Sequence, residues 1–434
     1  MLAAVGYITV ILCLVAIMSK KVTPFTAFTL IPAFACIVIG QGANIGSYIA
    51  SGITSIASIG VMFTFSMVFF GMMSDVGAFD VPINFVLKRV GTDPVKICIG
   101  ALIVTCITHL DGSGATTFLI TIPAMKPIFD RMKMDIRVLA TIAALGAGTM
   151  NTLPWGGAVI RAAASLGIEM DAIFTPLIVP LIAALLACLG VSVILGLGER
   201  RRLGYNPAKM DAGILELEIS EDQQALRRPK LLWINWILII VTIVCLVMNL
   251  LPPAPCFILA TVLCLIVNFP SLDLQRKVVD SHAKDMIWAI NLLWAAGCYS
   301  GMLKNSGILE AMAQSLVNII PQSLGGQLPL LLGLMGTPLN LFFDGDSFFY
   351  GVLPVLAETG AAFGVSPIIL SRAVIAGGFW TVGFPITPLA SSNFILTGLC
   401  GIDIGEHQKR TFLWAWAVGL IFLLAAIIVG AVPL

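Results

Sequence analysis

Charge is scarce in this sequence. Lys, Arg, Asp and Glu make up 11% of the 434 residues against a hydrophobic fraction of 59%, and the mean hydropathy is +1.01. A chain of this length cannot cover a water-facing surface with so few charges, which excludes a soluble globular protein and leaves the bilayer as its solvent. The formal net charge is only +1, so no basic or acidic excess points to nucleic acid. Histidine is rarer still. His109, His282 and His407 lie far apart and no HExxH pattern occurs, which argues against an intramembrane zinc enzyme. The ten cysteines show no CxxC pairing and lie mostly in apolar runs, as small packing residues do. The first apolar run, Leu2 to Met18, has no basic flank and no small-residue cleavage site, so it reads as a first span and not as a signal peptide.

Apolar runs are what the chain has in quantity. Stretches able to cross the bilayer begin near Leu2, Val22, Ile56, Ile136, Ala172, Leu231, Ala254, Met286, Ile368 and Thr411, about ten crossings of roughly 20 residues each. Two more, Pro94 to Phe129 and Gln327 to Phe363, are interrupted by HLDGSGATT and FFDGDSFF. Those interruptions are too polar for lipid, so each stretch is predicted to be a hairpin that dips in and returns. With both termini outside, 21 of the 24 basic residues fall in cytoplasmic loops and the linker, leaving only Arg161, Lys304 and Arg372 elsewhere. The two hairpins then enter from opposite sides, on either side of a hydrophilic linker from Gly198 to Lys230.

This is the pattern of an inverted repeat. Asp111 to Pro154 spans 43 positions and Asp344 to Pro388 spans 44, while Pro154 to Gly167 and Pro388 to Gly401 each span 13. Pairing Pro154 with Pro385 instead suits the preceding helix better, so the alignment is loose by about three residues. Inverted repeats with broken helices are how secondary transporters build a site at the bilayer midplane, where half-helix ends and unwound backbone face a ligand. Four interruptions are therefore expected to form one binding site: the two hairpin tips, Gly146 to Gly157, and Gly383 to Asn393.

Asp111 lies beside a Gly-Ser-Gly turn, followed by Thr116 and Thr117 at the start of an apolar helix. An ionisable group at that depth is a functional candidate; it also fits an N-cap, and the two roles are compatible. Asp344 and Asp346 flank a glycine, with Ser347 next to them, an oxygen-rich turn suited to a hard divalent ion or a proton. Asp111, Asp344, Asp346 and Ser347 are thus the candidates for a coupling ion or metal. In the first break Asn151 and Thr152 precede Pro154, Gly156 and Gly157, and Arg161 follows on the outgoing helix. Such a break can cradle a carboxylate or coordinate a cation, and a guanidinium is the bidentate partner of a carboxylate; snorkelling to the outer interface is the other role open to Arg161. The second break offers Thr387, Ser391, Ser392 and Asn393. With Ser113 and Thr116 these complete the candidate substrate ligands. Arg372 reads as structural, Glu358 as a capping or snorkelling carboxylate, and His407 as a solvated histidine in a cytoplasmic loop.

The stretches DGSGATTFLITIPAMKPI, TMNTLPWGGAVIRAA, FFDGDSFFYGVLPVLAE and GIDIGEHQKRTFLWAW resemble the citrate-metal/proton symporter family (CitMHS) of the ion transporter superfamily. They span both halves of the chain. The family often carries a proline after the paired glycines, where this chain has Ala158. The resemblance implies an all-α polytopic membrane protein of the bacterial cytoplasmic (inner) membrane, an inverted repeat of about five spans plus one re-entrant hairpin each. It implies uptake of citrate complexed with a divalent metal or iron, driven by protons, with no permanently bound cofactor. It further implies an elevator-type mechanism in a homodimer. Scaffold helices would occupy 1–90, 172–197, 231–325 and 406–434, and transport units 91–171 and 326–405, joined by a cytoplasmic linker over 198–230. Electrostatics favours a complex independently, because each charge moved against 100 mV costs about 2.3 kcal/mol and a divalent ion cancels two of citrate's. The alternatives are a dicarboxylate or gluconate carrier, whose uptake would depend on sodium, and a sodium/proton antiporter. A passive channel fits two opposed interrupted hairpins poorly.

Overall fold

Capping residues set where the helices begin. Thr23, Asp93, Ser113, Asp135, Ser271, Ser366 and Asp403 sit in extended backbone, and each side chain accepts a main-chain N–H from the first turn that follows. Pro24, Pro94 and Pro367 then open their helices, where the missing N–H has no partner to lose. A computed structural model describes residues 2–433 apart from 20, 205–223, 225 and 249, and among the described residues there is no strand.

The first half runs α1 (Leu2–Met18), α2 (Pro24–Val38), α3 (Ile45–Asp75), α4 (Asp80–Val90), α5 (Pro94–Thr108), α6 (Gly114–Arg131), α7 (Ile136–Met150), α8 (Gly157–Leu166), α9 (Met170–Phe174) and α10 (Ile178–Arg202). The second runs α11 (Leu232–Val247), α12 (Pro253–Asn268), α13 (Leu272–Asn305), α14 (Ile308–Val317), α15 (Gln322–Gly325), α16 (Leu328–Leu339), α17 (Leu353–Ala362), α18 (Pro367–Ala376), α19 (Ser391–Cys400) and α20 (Ile404–Ile428). One order recurs in both: two helices, a long helix, a short one, a hairpin (α5/α6, α16/α17), a broken helix (α7/α8, α18/α19) and a closing helix. Among the described residues, five helical stretches are, by length and composition, able to cross a membrane, and shorter apolar helices accompany them.

Three spans start earlier than hydropathy places them, α3 at Ile45 instead of near Ile56, α13 at Leu272 instead of near Met286 and α20 at Ile404 instead of near Thr411. Hydropathy marks where a helix enters lipid, whereas Gln275, Arg276 and Lys277 are good helix formers that carry α13 on outside it. Of the predicted linker, 205–223 and 225 lie outside the described residues. All ten cysteines are free, eight of them buried.

The long helices α3 and α13 pack along one another. At one crossing Gly52 meets the backbone of Gly297 and Gly301, too close for any Cβ, the close approach that a small-xxx-small spacing permits. At the other, a Cβ on Gly71 would lie 2.7 Å from the His282 ring. Gly52 with Gly301 and His282 with Gly71 are related by one offset of 230 positions, so a pseudo-two-fold passes between the crossings. The broken helices resolve the ambiguous repeat alignment. Their N-caps, Asp135 and Ser366, are 231 positions apart, whereas the left-handed glycines that end them, Gly167 and Gly401, are 234 apart. Both pairings of Pro154 are therefore correct, one on each side of a second break that brings three extra residues.

The closing helices α10 and α20 pack on the hairpin and broken helices: α10 on α5 and α7, and α20 on α7, α16 and α18. Packing thus places them with the hairpins, whereas the sequence reading assigned 172–197 and 406–434 to the scaffold.

Candidate functional site

Each hairpin tip is a turn closed by an aspartate. In the first, α5 ends in a tight turn, Gly112 takes a left-handed φ of 73°, and Asp111 Oδ1 accepts the Ser113 N–H at 2.8 Å. Ser113 Oγ accepts the Thr116 N–H at 3.3 Å and its hydroxyl at 3.1 Å. In the second, Asp344 Oδ1 accepts the Ser347 N–H at 2.7 Å, and a π-helical turn over Ser347–Val352 leads into α17. Such wide turns recur at functional sites.

The breaks are tied to each other and to the tips. Asn151, at the end of α7, donates Nδ2 to the Trp380 carbonyl at 2.7 Å and accepts the Gly157 N–H on Oδ1 at 2.8 Å. Trp155 donates Nε1 to the Leu110 carbonyl at 2.8 Å. Asn393 donates to the Phe384 and Thr387 carbonyls at 2.8 and 2.7 Å, and Thr387 Oγ1 accepts the Leu389 N–H. The second break runs from Gly377 to Ala390, opening earlier than the predicted Gly383, and Trp380 within it adopts a left-handed φ of 54°.

A cavity of about 460 Å³ gathers all four interruptions. Gly112 and Gly114 reach it from the first tip, Asp344 and Asp346 from the second, and Asn151, Gly157 and Arg161 from the first break and α8. Trp380, Phe384, Leu389, Ala390, Ser391 and Ser392 form the wall from the second break, and Ile17, Val22 and Pro24 close it from the α1–α2 turn. Arg161 Nε donates to Asp346 Oδ1 at 2.6 Å, with both side chains 19% exposed. Its Nη1 donates to the Gly157 carbonyl at 3.0 Å, and its guanidinium lies 5.6 Å from the Trp380 ring, within cation–π range. Sequence alone proposed Arg161 for carboxylates and Asp346 for cations; the fold pairs them with each other.

Other expected residues stand behind this surface. Asp111, Ser113 and Thr116 bond among themselves and with the turn at the first tip. Thr152, Ser347, Thr387 and Asn393 are buried, and Gly156 caps α8 where the Asn151 carbonyl leaves no room for a side chain. The buried atoms His109 Nε2, Thr152 Oγ1, Ser347 Oγ and Asn393 Oδ1, one in each interruption, have no hydrogen-bond partner. Unmet polar atoms are rare in protein interiors, and four at these turns leave each with hydrogen-bonding capacity unused. Among the described residues no three His, Cys, Asp or Glu side chains cluster as a metal centre.

Sequence reasoning missed Trp380, Phe384 and the α1–α2 residues. The Gly377-Gly378 pair was the available signal for the first two; Ile17, Val22 and Pro24 carry none. His407 is corrected: it is 1% exposed, not solvated, and its Nε2 lies 3.0 Å from the Pro385 carbonyl and its Nδ1 3.3 Å from Thr411 Oγ1, bracing α20 against the second break. Arg372 is structural, donating to the Ala172 and Ala431 carbonyls. Glu358 is exposed.

The citrate transporter family model, CitMHS, matches residues 10–377. Two proteins of Bacillus subtilis (strain 168) align over the whole of both chains: a "Citrate transporter" at 36% identity and an "Mg(2+)/citrate complex secondary transporter" at 35%. Among solved structures, the YdaH transporter of Alcanivorax borkumensis superposes with a TM-score of 0.62 at 15% identity, covering 90% of this chain and 89% of that one. MtrF of Neisseria gonorrhoeae, from a class of antimetabolite efflux pumps, gives 0.57 at 13% identity, covering 91% and 84%. These two share the fold alone. By the family match and by relatives aligned along its full length, the chain belongs to the CitMHS family of citrate transporters, multi-pass membrane secondary transporters and not enzymes.

Proposed function

We propose that this protein imports citrate as a complex with a divalent metal ion or iron, coupled to protons. The observation that carries this reading is the pairing of Arg161 with Asp346, beside Asp344, on the wall of a cavity where all four interruptions meet. A free carboxylate ligand suits a cationic wall and a bare metal ion an acidic one; a metal chelate presents both signs to this mixed wall. Asp344 and Asp346 face the metal, whose remaining donors come from citrate itself. Arg161, Ser391 and Ser392 face citrate carboxylates and hydroxyl. Thr387, Asn393 and Gly156 hold the turns in shape, and Asp111 with Ser113 and Thr116 carries the coupling ion at the first tip.

In this reading the hairpins, the broken helices and the closing helices α10 and α20 move as one unit past α3 and α13. The protein sits in the bacterial cytoplasmic membrane as a homodimer, with both termini outside. The full-length relative named as an Mg(2+)/citrate complex secondary transporter supports the choice of substrate.

Purified protein in liposomes, given an inward proton gradient and labelled citrate, tests the proposal. Uptake that requires Mg²⁺, Ca²⁺, Zn²⁺ or Fe³⁺ over an EDTA control, and that a protonophore abolishes, is expected. Uptake that persists in EDTA would replace the complex by free citrate. Sodium dependence with no response to citrate would move the assignment to another organic anion.

A further inference from the structure

The pseudo-two-fold between the long helices is broken at one place by a titratable group. Where Gly52 meets Gly301 at the first crossing, the symmetry-related contact sets His282 against Gly71. The imidazole packs close against α3 at Gly71, where a Cβ would be 2.7 Å from its Cε1 and 2.8 Å from its Nδ1. Its Nε2 is 2.8 Å from Asp75 Oδ2, at the last residue of α3, and each side chain is 25% exposed. An ionised carboxylate can only accept, so Nε2 carries the hydrogen and Nδ1 is left as a base. The helix that in the other repeat is content with a glycine here holds the one side chain type whose ordinary titration spans neutral pH.

The charges around the pair are few. The His109–Asp111 turn of the first hairpin tip packs on α3 and brings the titratable groups His109 and Asp111 to that helix. From the end of the linker, Arg227 donates to the Ser74 and Asp75 carbonyls but pairs with Asp80 at 2.8 Å. On α12, which packs on α3, Cys264 is a buried free thiol. His282 is therefore paired with Asp75 on α3, the helix on which the first hairpin tip packs, and Arg227 is itself paired with Asp80.

We propose that His282, paired with Asp75, is the proton acceptor that links proton movement to the hairpin unit. It rests on the proton-coupled reading above. A proton released from the hairpin unit at the position seen here binds His282 Nδ1; the imidazolium, held by Asp75, passes it to water at the C-terminal end of α3 and returns to the neutral base. The imidazole stands on the long helix, apart from the cavity, so it acts on coupling and not on the ligand.

Two liposome measurements separate these roles: citrate exchange with Mg²⁺ at equal pH on both sides, which needs no net proton movement, and uphill accumulation driven by a pH gradient. His282→Gln is expected to keep exchange within about twofold, to lose accumulation by about tenfold or more, and to flatten the pH profile of net uptake. Asp75→Asn, a milder change, keeps exchange and cuts accumulation severalfold. If both variants accumulate citrate like the wild type, the inference is overturned while proton coupling stands. If both lose exchange and accumulation in equal proportion, the pair is structural and the inference is equally overturned. A wild type that ignores the pH gradient refutes the coupled reading itself, and this inference with it.

Discussion

Removing Arg161 is the sharpest perturbation of the cavity. The guanidinium holds Asp346 at 2.6 Å and the Gly157 carbonyl at 3.0 Å with only 19% of each charged side chain exposed. A hydrogen bond to a charged group contributes about 1.5–3 kcal/mol, and each 1.4 kcal/mol is about tenfold in affinity. Arg161→Ala should therefore raise the apparent KM for Mg²⁺-citrate roughly ten- to hundredfold. It also strands the Asp346 carboxylate, and breaking a fully buried pair costs about 3–5 kcal/mol, with less expected at this partly exposed site. Arg161→Ala/Asp346→Asn removes that strain, so its thermal stability should recover while its affinity stays low. Arg161→Lys keeps the charge but not the planar fork, and should fall between the wild type and Arg161→Ala. The assay is initial uptake against citrate concentration in liposomes, with the melting temperature of the detergent-purified protein measured alongside. A wild-type apparent affinity in Arg161→Ala would refute the assignment and leave Arg161 as a packing residue.

Three further expectations concern other parts of the fold. Asn151→Ala, which unties the Trp380 carbonyl from the Gly157 N–H, leaves the buried Trp380 carbonyl unpaired at about 1–3 kcal/mol and frees the half-buried Gly157 N–H, and should abolish measurable uptake in protein that still inserts and purifies. Asp111→Asn should remove the response of uptake to a pH gradient while leaving metal dependence intact, as read by uptake with and without protonophore. Gly301→Leu would drive a side chain into the Tyr48 and Gly52 backbone. It should lower the melting temperature by several degrees or prevent insertion, consistent with overpacking costs of about 1–3 kcal/mol, whereas Gly190→Leu, with open space around it, should do neither.

Much of the site was legible because membranes make polar residues conspicuous. Asp111, Asp344 and Asp346 stand in runs that are otherwise apolar, and Arg161 breaks the charge rule that the other loops obey, so composition alone drew attention to them. What they touch was not legible. Arg161 and Asp346 are 185 positions apart, and only the meeting of α8 with the second tip turns two separate candidates into one ion pair. His407 shows the opposite failure. Its neighbours Glu406, Gln408, Lys409 and Arg410 look like a solvated loop, but they already belong to α20, and its inward face buries one histidine against the Pro385 carbonyl. The starts of α3 and α13 were missed for a related reason, since a helix that leaves the bilayer keeps its backbone hydrogen bonds while its side chains turn polar. The three-residue looseness in the repeat, by contrast, was a true reading of a second break that is longer than the first.

The two breaks do not share the work of the cavity evenly. The first brings Asn151, Gly157 and Arg161, the second an aromatic and small-residue wall from Trp380 to Ser392. A chain built by duplicating either half would keep the opposed topology, yet one such chain would face two arginines across a gap with nothing to pack against, and the other would have a lined chamber with no guanidinium in it. Inversion supplies the architecture twice, but the binding chamber is written once, divided between halves that have diverged into complementary parts, so neither half can regenerate it alone.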